Sequence, residues 1–253
     1  MKHIWLTGAS SGIGAALAQR FLSQGHQLAV SARNVQALKN LHLQYPEQVL
    51  VLPGDLTDPQ QVQAMGKQIE LAWGALDQVV LNAGTCEYLD AACFEANMIE
   101  RVMRANFFSA TYCVQAALPL LRQAQRPHLV AVCSSVTYLA LPRAEAYGAS
   151  KAAMRYLFQS LRIDLAQEDI DVTLVSPGFV DTPLTQQNDF PMPMRWTANK
   201  AAAHIVARLE KRPMEIAFPW PFIGALRLLA LLPQRLQLAL VKRMARTATE
   251  QPS

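Results

Sequence analysis

The chain has 253 residues, of which 51% are hydrophobic and 17% charged, with 11 Gly and 15 Pro. That length suits one large α/β domain, and the composition excludes a disordered, collagen-like or low-complexity chain. The 23 basic and 19 acidic residues leave a formal charge of +4, too small without clustering to point to nucleic acid, although the last third leans basic. Cys86, Cys93, Cys113 and Cys133 show neither CxxC spacing nor a His pair in metal register, which predicts reduced thiols and no metal centre. The N-terminal residues lack the apolar stretch and cleavage site of a signal peptide, so a cytoplasmic location is expected. The longest uncharged stretches, 105–121 and 216–226, are interrupted by polar residues or too short to predict a transmembrane span.

Seven short apolar runs predict strands in chain order at 3–7, 26–32, 49–52, 78–82, 128–133, 171–176 and 215–218. Several are almost wholly apolar, as parallel strands covered on both faces must be, and long crossovers separate them. The alternation predicts a single three-layer, doubly wound α/β domain with a Rossmann-type sheet of about seven parallel strands. Residues 1–218 would form this body, and 219–253 an apolar and basic helical extension. In the first crossover, Ala15, Leu17, Ala18 and Leu22 supply a helical apolar face and Gly25 a stop. Asp58-Pro59 reads as an N-cap followed by Pro at the first helical position. Pro183, Pro191 and Pro193 break up a lid-like segment at about 183–200 that carries Phe190, Met192, Met194 and Trp196.

Thr7-Gly8-Ala9-Ser10-Ser11-Gly12-Ile13-Gly14 joins the first strand to the first helix. There, glycines let backbone amides approach a phosphate and the helix start offers unpaired N–H groups. The loop lacks the Gly-Lys-Ser/Thr of a triphosphatase, which disfavours ATP hydrolysis; taken alone it is also compatible with tight packing. Dinucleotide sites of this architecture place an acidic residue about 20 positions further on, or an Arg where a 2′-phosphate must be held. Here the second strand ends Ser31-Ala32-Arg33-Asn34 and the first acidic residue is Glu47, so Arg33 favours NADP(H) over NAD(H).

Tyr147 and Lys151 are four residues apart at the start of a helical segment, which puts phenol and ammonium on one face. Lowering a phenol from a pKa near 10 to about 7 takes ~4 kcal/mol, and a cation ~4 Å away at an effective dielectric of 20 supplies about that much. Lys151 is therefore expected to make Tyr147 a usable acid and base near neutrality.

With these residues in order, the chain resembles the short-chain dehydrogenase/reductase family to about Phe218. Thr7-Gly8-x-x-x-Gly12-x-Gly14 is similar to its cofactor turn, with Ser10, Ser11 and Ile13 inside it. Asp55-Leu56 is similar to its adenine contact, though Asp55 is equally suited to capping a turn. Leu81-Asn82-Ala83-Gly84 resembles its Asn-Asn-Ala-Gly element with the first Asn replaced, and Asn106, Ser134, Tyr147 and Lys151 match its catalytic tetrad. Pro177-Gly178, Val180 and Thr182 resemble its nicotinamide-side loop. The strand pattern Val130-Ala131-Val132-Cys133-Ser134 selects Ser134 over the adjacent Ser135, which is the fallback.

The resemblance implies NADP(H)-dependent hydride transfer between nicotinamide and a carbonyl carbon, with Tyr147 moving the proton and Ser134 holding the oxygen. In it, Lys151 holds the nicotinamide ribose and Asn106 keeps a water path toward the lysine. A homodimer or homotetramer is also implied. Phe190, Met192, Met194 and Trp196 either line a pocket for a hydrophobic ketone, aldehyde or alcohol or only pack the lid onto the body. The tail after Pro219, with Arg227, Arg235, Lys242, Arg243 and Arg246, is expected to pack on the domain or a second subunit in preference to a membrane surface. Two rival readings are a non-catalytic NADP(H)-binding redox sensor and a membrane-surface lipid or sterol oxidoreductase. No aromatic-plus-basic stripe suggests nucleic acid.

Overall fold

The computed structural model of the chain describes residues 1–242, apart from the side chain of Gln187. Arg243 and Arg246, part of the expected basic tail, lie outside the described residues. The elements in chain order are β1 (His3–Thr7), α1 (Gly12–Ser23), β2 (Gln27–Ala32), α2 (Val35–Gln44), β3 (Val49–Pro53), α3 (Pro59–Trp73) and β4 (Gln78–Leu81). Then follow α4 (Ala96–Met103), a widened π-helical turn at Arg104–Phe108, α5 (Ser109–Leu121), β5 (His128–Val132), α6 (Glu145–Leu165) and β6 (Asp171–Pro177). The chain continues with β7 (Val180–Asp181), β8 (Trp196–Thr197), α7 (Ala198–Leu209), β9 (Glu215–Phe218), α8 (Trp220–Ala230) and α9 (Gln234–Val241).

Seven strands pair in parallel in the order β3-β2-β1-β4-β5-β6-β9, as the apolar runs predict. The period of two along β1 shows why both faces must be covered: Ile4 and Leu6 pack among Leu17, Phe21 and Ile205 on one side, while Trp5 packs among Ile69, Leu76 and Phe158 on the other. All of these are buried. At α3 the cap reads as expected, with Asp58 accepting from Gln60 N at 2.9 Å and Pro59 in the first turn. No helix among the described residues is long and apolar enough to cross a membrane.

The strand order reverses between β1 and β4, and in open parallel sheets a crevice forms at that point beyond the carboxyl ends of the strands. Thr7 closes its floor: its Oγ1 accepts from Asn82 N at 3.0 Å and Ala83 N at 3.1 Å, binding the end of β1 to the end of β4.

The tail divides into two parts. α8 packs on its own domain through Ile223 and Leu226, and Arg227 pairs with Glu215 at 2.9 Å. α9 buries none of its residues.

Candidate active site

A cleft of about 730 Å³ opens at the switch point. At one end it is lined by Gly8, Ser10, Ser11, Gly12 and Ile13 from the glycine turn, and by Arg33, Asp55 and Leu56 from the ends of β2 and β3. Asn82, Ala83 and Gly84 form its floor, while Ser134, Tyr147, Lys151, Pro177, Gly178, Val180 and Thr182 line the other end. Eighteen of the positions singled out in the sequence thus meet the cleft, and Gly14 and Asn106 stand behind its wall.

The glycine turn is built for close approach. Gly8 and Gly12 have φ of +68° and +54°, and a Cβ on Gly12 would stand 3.0 Å from Thr182 Cγ2 across the cleft. Gly14 has a packing role: a Cβ there would overlap the Gly8 carbonyl oxygen and the Asn82 amide. Ser11 occupies the N-cap of α1 without a side-chain bond to the first turn, so those amides stay open toward the cleft. Arg33 is exposed at the cleft rim and has no hydrogen bond or ion pair among the described residues. Asp55 lines the cleft and caps a turn, its Oδ1 accepting from Thr57 N and Thr57 Oγ1, each at 2.9 Å. A glycine cradle, open amides and an unpaired guanidinium on one wall form a donor set that fits a dinucleotide carrying a 2′-phosphate.

At the other end Ser134 and Tyr147 both line the cleft, and the Ser134 hydroxyl acts to lower the Tyr147 pKa. Ser134 also accepts from Val136 N at 3.2 Å, whereas the neighbouring Ser135 is buried and does not line the cleft.

The electrostatics of the pair differ from expectation. Burial, reinforced by Cys86 and Cys133 nearby, pushes the Tyr147 phenol above its ordinary pKa, and only the Ser134 hydroxyl opposes it. Lys151 is buried, and burial lowers its own pKa. Its Nζ donates to the Val132 carbonyl oxygen at 2.9 Å and lies 5.9 Å from the centre of the Tyr147 ring. Ammonium and phenol are both desolvated, which the simple Coulomb argument leaves out, and burial sets the direction of each.

Asn106 sits in the π-helical turn between α4 and α5, a type of insertion that re-aims side chains. Its Oδ1 accepts from Thr85 N at 2.7 Å, and its Nδ2 donates to Thr85 O at 2.9 Å and Ser150 Oγ at 2.8 Å. Ser150 Oγ in turn donates to the Tyr147 carbonyl oxygen at 2.7 Å, so Asn106 braces both the segment after Gly84 and the first turns of α6. A Cβ on Gly84 would stand 3.0 Å from Asn106 Oδ1 and 3.4 Å from Lys151 Nζ.

Of the two alternatives for the lid, the geometry follows packing onto the body. Its cleft-lining residues are Pro183, Leu184 and Thr185. Trp196 stacks on Phe218 at 4.9 Å, Phe190 packs between Tyr88 and Phe179, and Met194 is exposed. Met192 Sδ receives a bond from Asn188 at 3.2 Å. These side chains hold the lid to the body, and α7 already begins at Ala198 within the expected lid.

Sequence reasoning missed Thr85, Cys133, Glu87, Arg101 and Arg104 on the cleft wall. Thr85 and Cys133 adjoin recognised motifs, and that adjacency was a usable signal. The Arg101–Glu87 pair at 2.8 Å joins separate elements and left no local signal.

The profile of the short chain dehydrogenase family matches residues 2–191. The chain belongs to the short-chain dehydrogenase family. Family membership makes it an oxidoreductase of the class that uses NAD or NADP and small-molecule substrates. Among this family, the uncharacterized oxidoreductase Rv0945 of Mycobacterium tuberculosis is 32% identical over 242 residues, covering 93% of this chain and 95% of that protein. The 11-beta-hydroxysteroid dehydrogenase 1A of Arabidopsis thaliana is 34% identical over 195 residues, covering 75% of this chain and 55% of that protein. An alcohol dehydrogenase from the archaeon Thermococcus sibiricus, complexed with 5-hydroxy-NADP, superposes with a TM-score of 0.77 at 25% identity over 86% of this short-chain dehydrogenase and 96% of that chain. A short-chain dehydrogenase from Streptomyces avermitilis has the same fold, with a TM-score of 0.84 at 24% identity over 96% and 97% of the two chains.

Proposed function

We propose that the chain is an NADP(H)-dependent oxidoreductase interconverting a hydrophobic ketone or aldehyde and its alcohol, with Tyr147 donating the proton in reduction and accepting it in oxidation. The observation that carries this reading is that Ser134, Tyr147 and Lys151 line one end of a cleft whose far end is the glycine turn. Bound in that cleft, the nicotinamide cofactor supplies the hydride.

The chain's own residues do the rest. Gly8, Ser10, Ser11, Gly12 and Ile13 hold the pyrophosphate against open backbone amides, and Arg33 pairs with the 2′-phosphate. Asp55 and Leu56 flank the adenine. Asn82, Ala83, Pro177, Gly178, Val180 and Thr182 orient the nicotinamide half. Lys151 binds the ribose hydroxyls, for which its Nζ retains donors beyond the one given to Val132.

Ser134 Oγ and Tyr147 OH converge on one point, so a carbonyl oxygen there meets two hydroxyl donors already fixed in place as negative charge develops on it. A phenol whose pKa is raised by burial stays protonated at neutral pH, which suits it to donate. Asn106 acts as a positioning residue through Thr85 and Ser150.

The Arg33 rim and the likeness to an alcohol dehydrogenase complexed with 5-hydroxy-NADP support NADP(H). The similarity to an 11-beta-hydroxysteroid dehydrogenase supports a bulky apolar substrate. The test follows NADPH and NADH oxidation by absorbance over a panel of apolar and polar aldehydes and ketones. The reading expects turnover of apolar members with NADPH preferred; a protein that binds NADPH but turns over none of them is a sensor and contradicts it.

A further inference from the structure

α8 has two apolar faces. Ile223 and Leu226 are buried against the domain, while Trp220 and Leu228, with Leu231 just past the helix end, form a stripe on the outer side. Trp220 and Leu231 are 80% and 82% exposed. After the turn at Pro233, α9 buries nothing, and Leu236, Leu238 and Leu240 lie exposed on different sides of it. Large apolar side chains left exposed together on α8 and α9, beside Gln234, Arg235 and Gln237, mark an interaction surface.

Charge identifies the partner. Up to Phe218 the chain carries 18 basic and 18 acidic residues; beyond it there are five basic residues and one acidic, Glu250. The whole surplus of +4 therefore resides in the segment that exposes the apolar stripe. A second copy docking through this face would bring two such basic segments together, which like-charge repulsion opposes. A membrane surface rich in anionic lipid accepts both the leucines and the cations.

We propose that α8 and α9 dock this protein onto anionic membrane surfaces. α8 also backs the cleft: the Phe222 ring lies 5.4 Å from Phe179, next to the cleft-lining Gly178. Docking thus sets the lipid surface beside the substrate end of the cleft.

The test is co-sedimentation of the full chain with phosphatidylcholine vesicles, with and without about 30% phosphatidylserine, at low and raised salt. The proposal expects binding to the anionic vesicles only, weakened by salt. Each cation near such a surface strengthens partitioning roughly fivefold, so Arg235→Glu with Lys242→Glu should weaken it at least tenfold. Leu236→Ser with Leu240→Ser should also release the protein, with the thermal unfolding midpoint as the check on folding. Wild-type chain that ignores both vesicle types, or binds them equally, overturns the proposal whatever the variants do. So does light scattering in which the leucine variant splits an oligomer while the wild type binds no vesicle. None of these measurements involves cofactor or turnover, so their outcome is independent of the proposed chemistry.

Discussion

Lys151 Nζ donates to the Val132 carbonyl oxygen at 2.9 Å, which ties the middle of α6 to the end of β5 and holds the ammonium 5.9 Å from the centre of the Tyr147 ring. The lysine is thereby anchored to the sheet, with a second donor given to Met154 Sδ at 3.7 Å. Burial then governs both groups, raising the phenol and lowering the ammonium.

A pH dependence follows from these directions. Carbonyl reduction uses the protonated phenol, which persists to high pH, so kcat/KM for reduction should stay flat from about pH 6 to about pH 9. Alcohol oxidation needs the phenolate and should rise steadily over the same range. Parallel profiles in both directions, falling together above neutrality, contradict this account.

Arg33 tests cofactor choice. Its guanidinium is exposed and unpaired at the cleft rim, so Arg33→Ala removes a charge-assisted contact without disturbing the fold. We expect KM for NADPH to rise about tenfold while KM for NADH changes less than twofold. Equal losses for both cofactors would assign Arg33 to the shared part of the dinucleotide.

Glu215 tests the wall behind the site. Burial pushes its carboxyl up, but bonds from Arg155, Ser176 and Tyr138, each at 2.6 Å, outweigh that and hold its pKa at about 2. Because the folded value lies below the ordinary 4.5, the stabilisation is complete above that pH and is lost as pH falls toward 2. Glu215→Gln should lower stability by roughly 2 to 3 kcal/mol at neutral pH, with the gap to wild type closing as the pH approaches about 2. Urea unfolding at a series of pH values measures it; a gap independent of pH indicates lost packing alone.

Much of this was legible in the chain itself, for identifiable reasons. The seven strands announce themselves because parallel strands covered on both faces are apolar without interruption, as at Leu129-Val130-Ala131-Val132. The glycine turn, the Asp58-Pro59 cap and the Tyr147–Lys151 spacing are local signals. What spacing cannot convey is tertiary burial. The four-residue interval set Tyr147 and Lys151 on one face, but only the packed sheet revealed that Nζ is drawn to Val132 and both groups are desolvated. In the same way Phe190 and Trp196, apolar and beside the site in sequence, turn out to clamp the lid onto Tyr88 and Phe218. Glu215 draws its partners Tyr138, Arg155, Ser176 and Arg227 from four separate stretches of chain, which no sequence window contains.

The central claim is that the Tyr147 hydroxyl carries the transferred proton, and one substitution reaches it directly. Tyr147→Phe keeps the ring, the helix and the cleft while deleting the hydroxyl. NADPH affinity measured by titration should remain within about threefold of wild type, while kcat on a carbonyl the wild type reduces should fall by at least ~10³-fold. A variant that binds NADPH normally and keeps more than a few per cent of wild-type turnover would contradict the assignment.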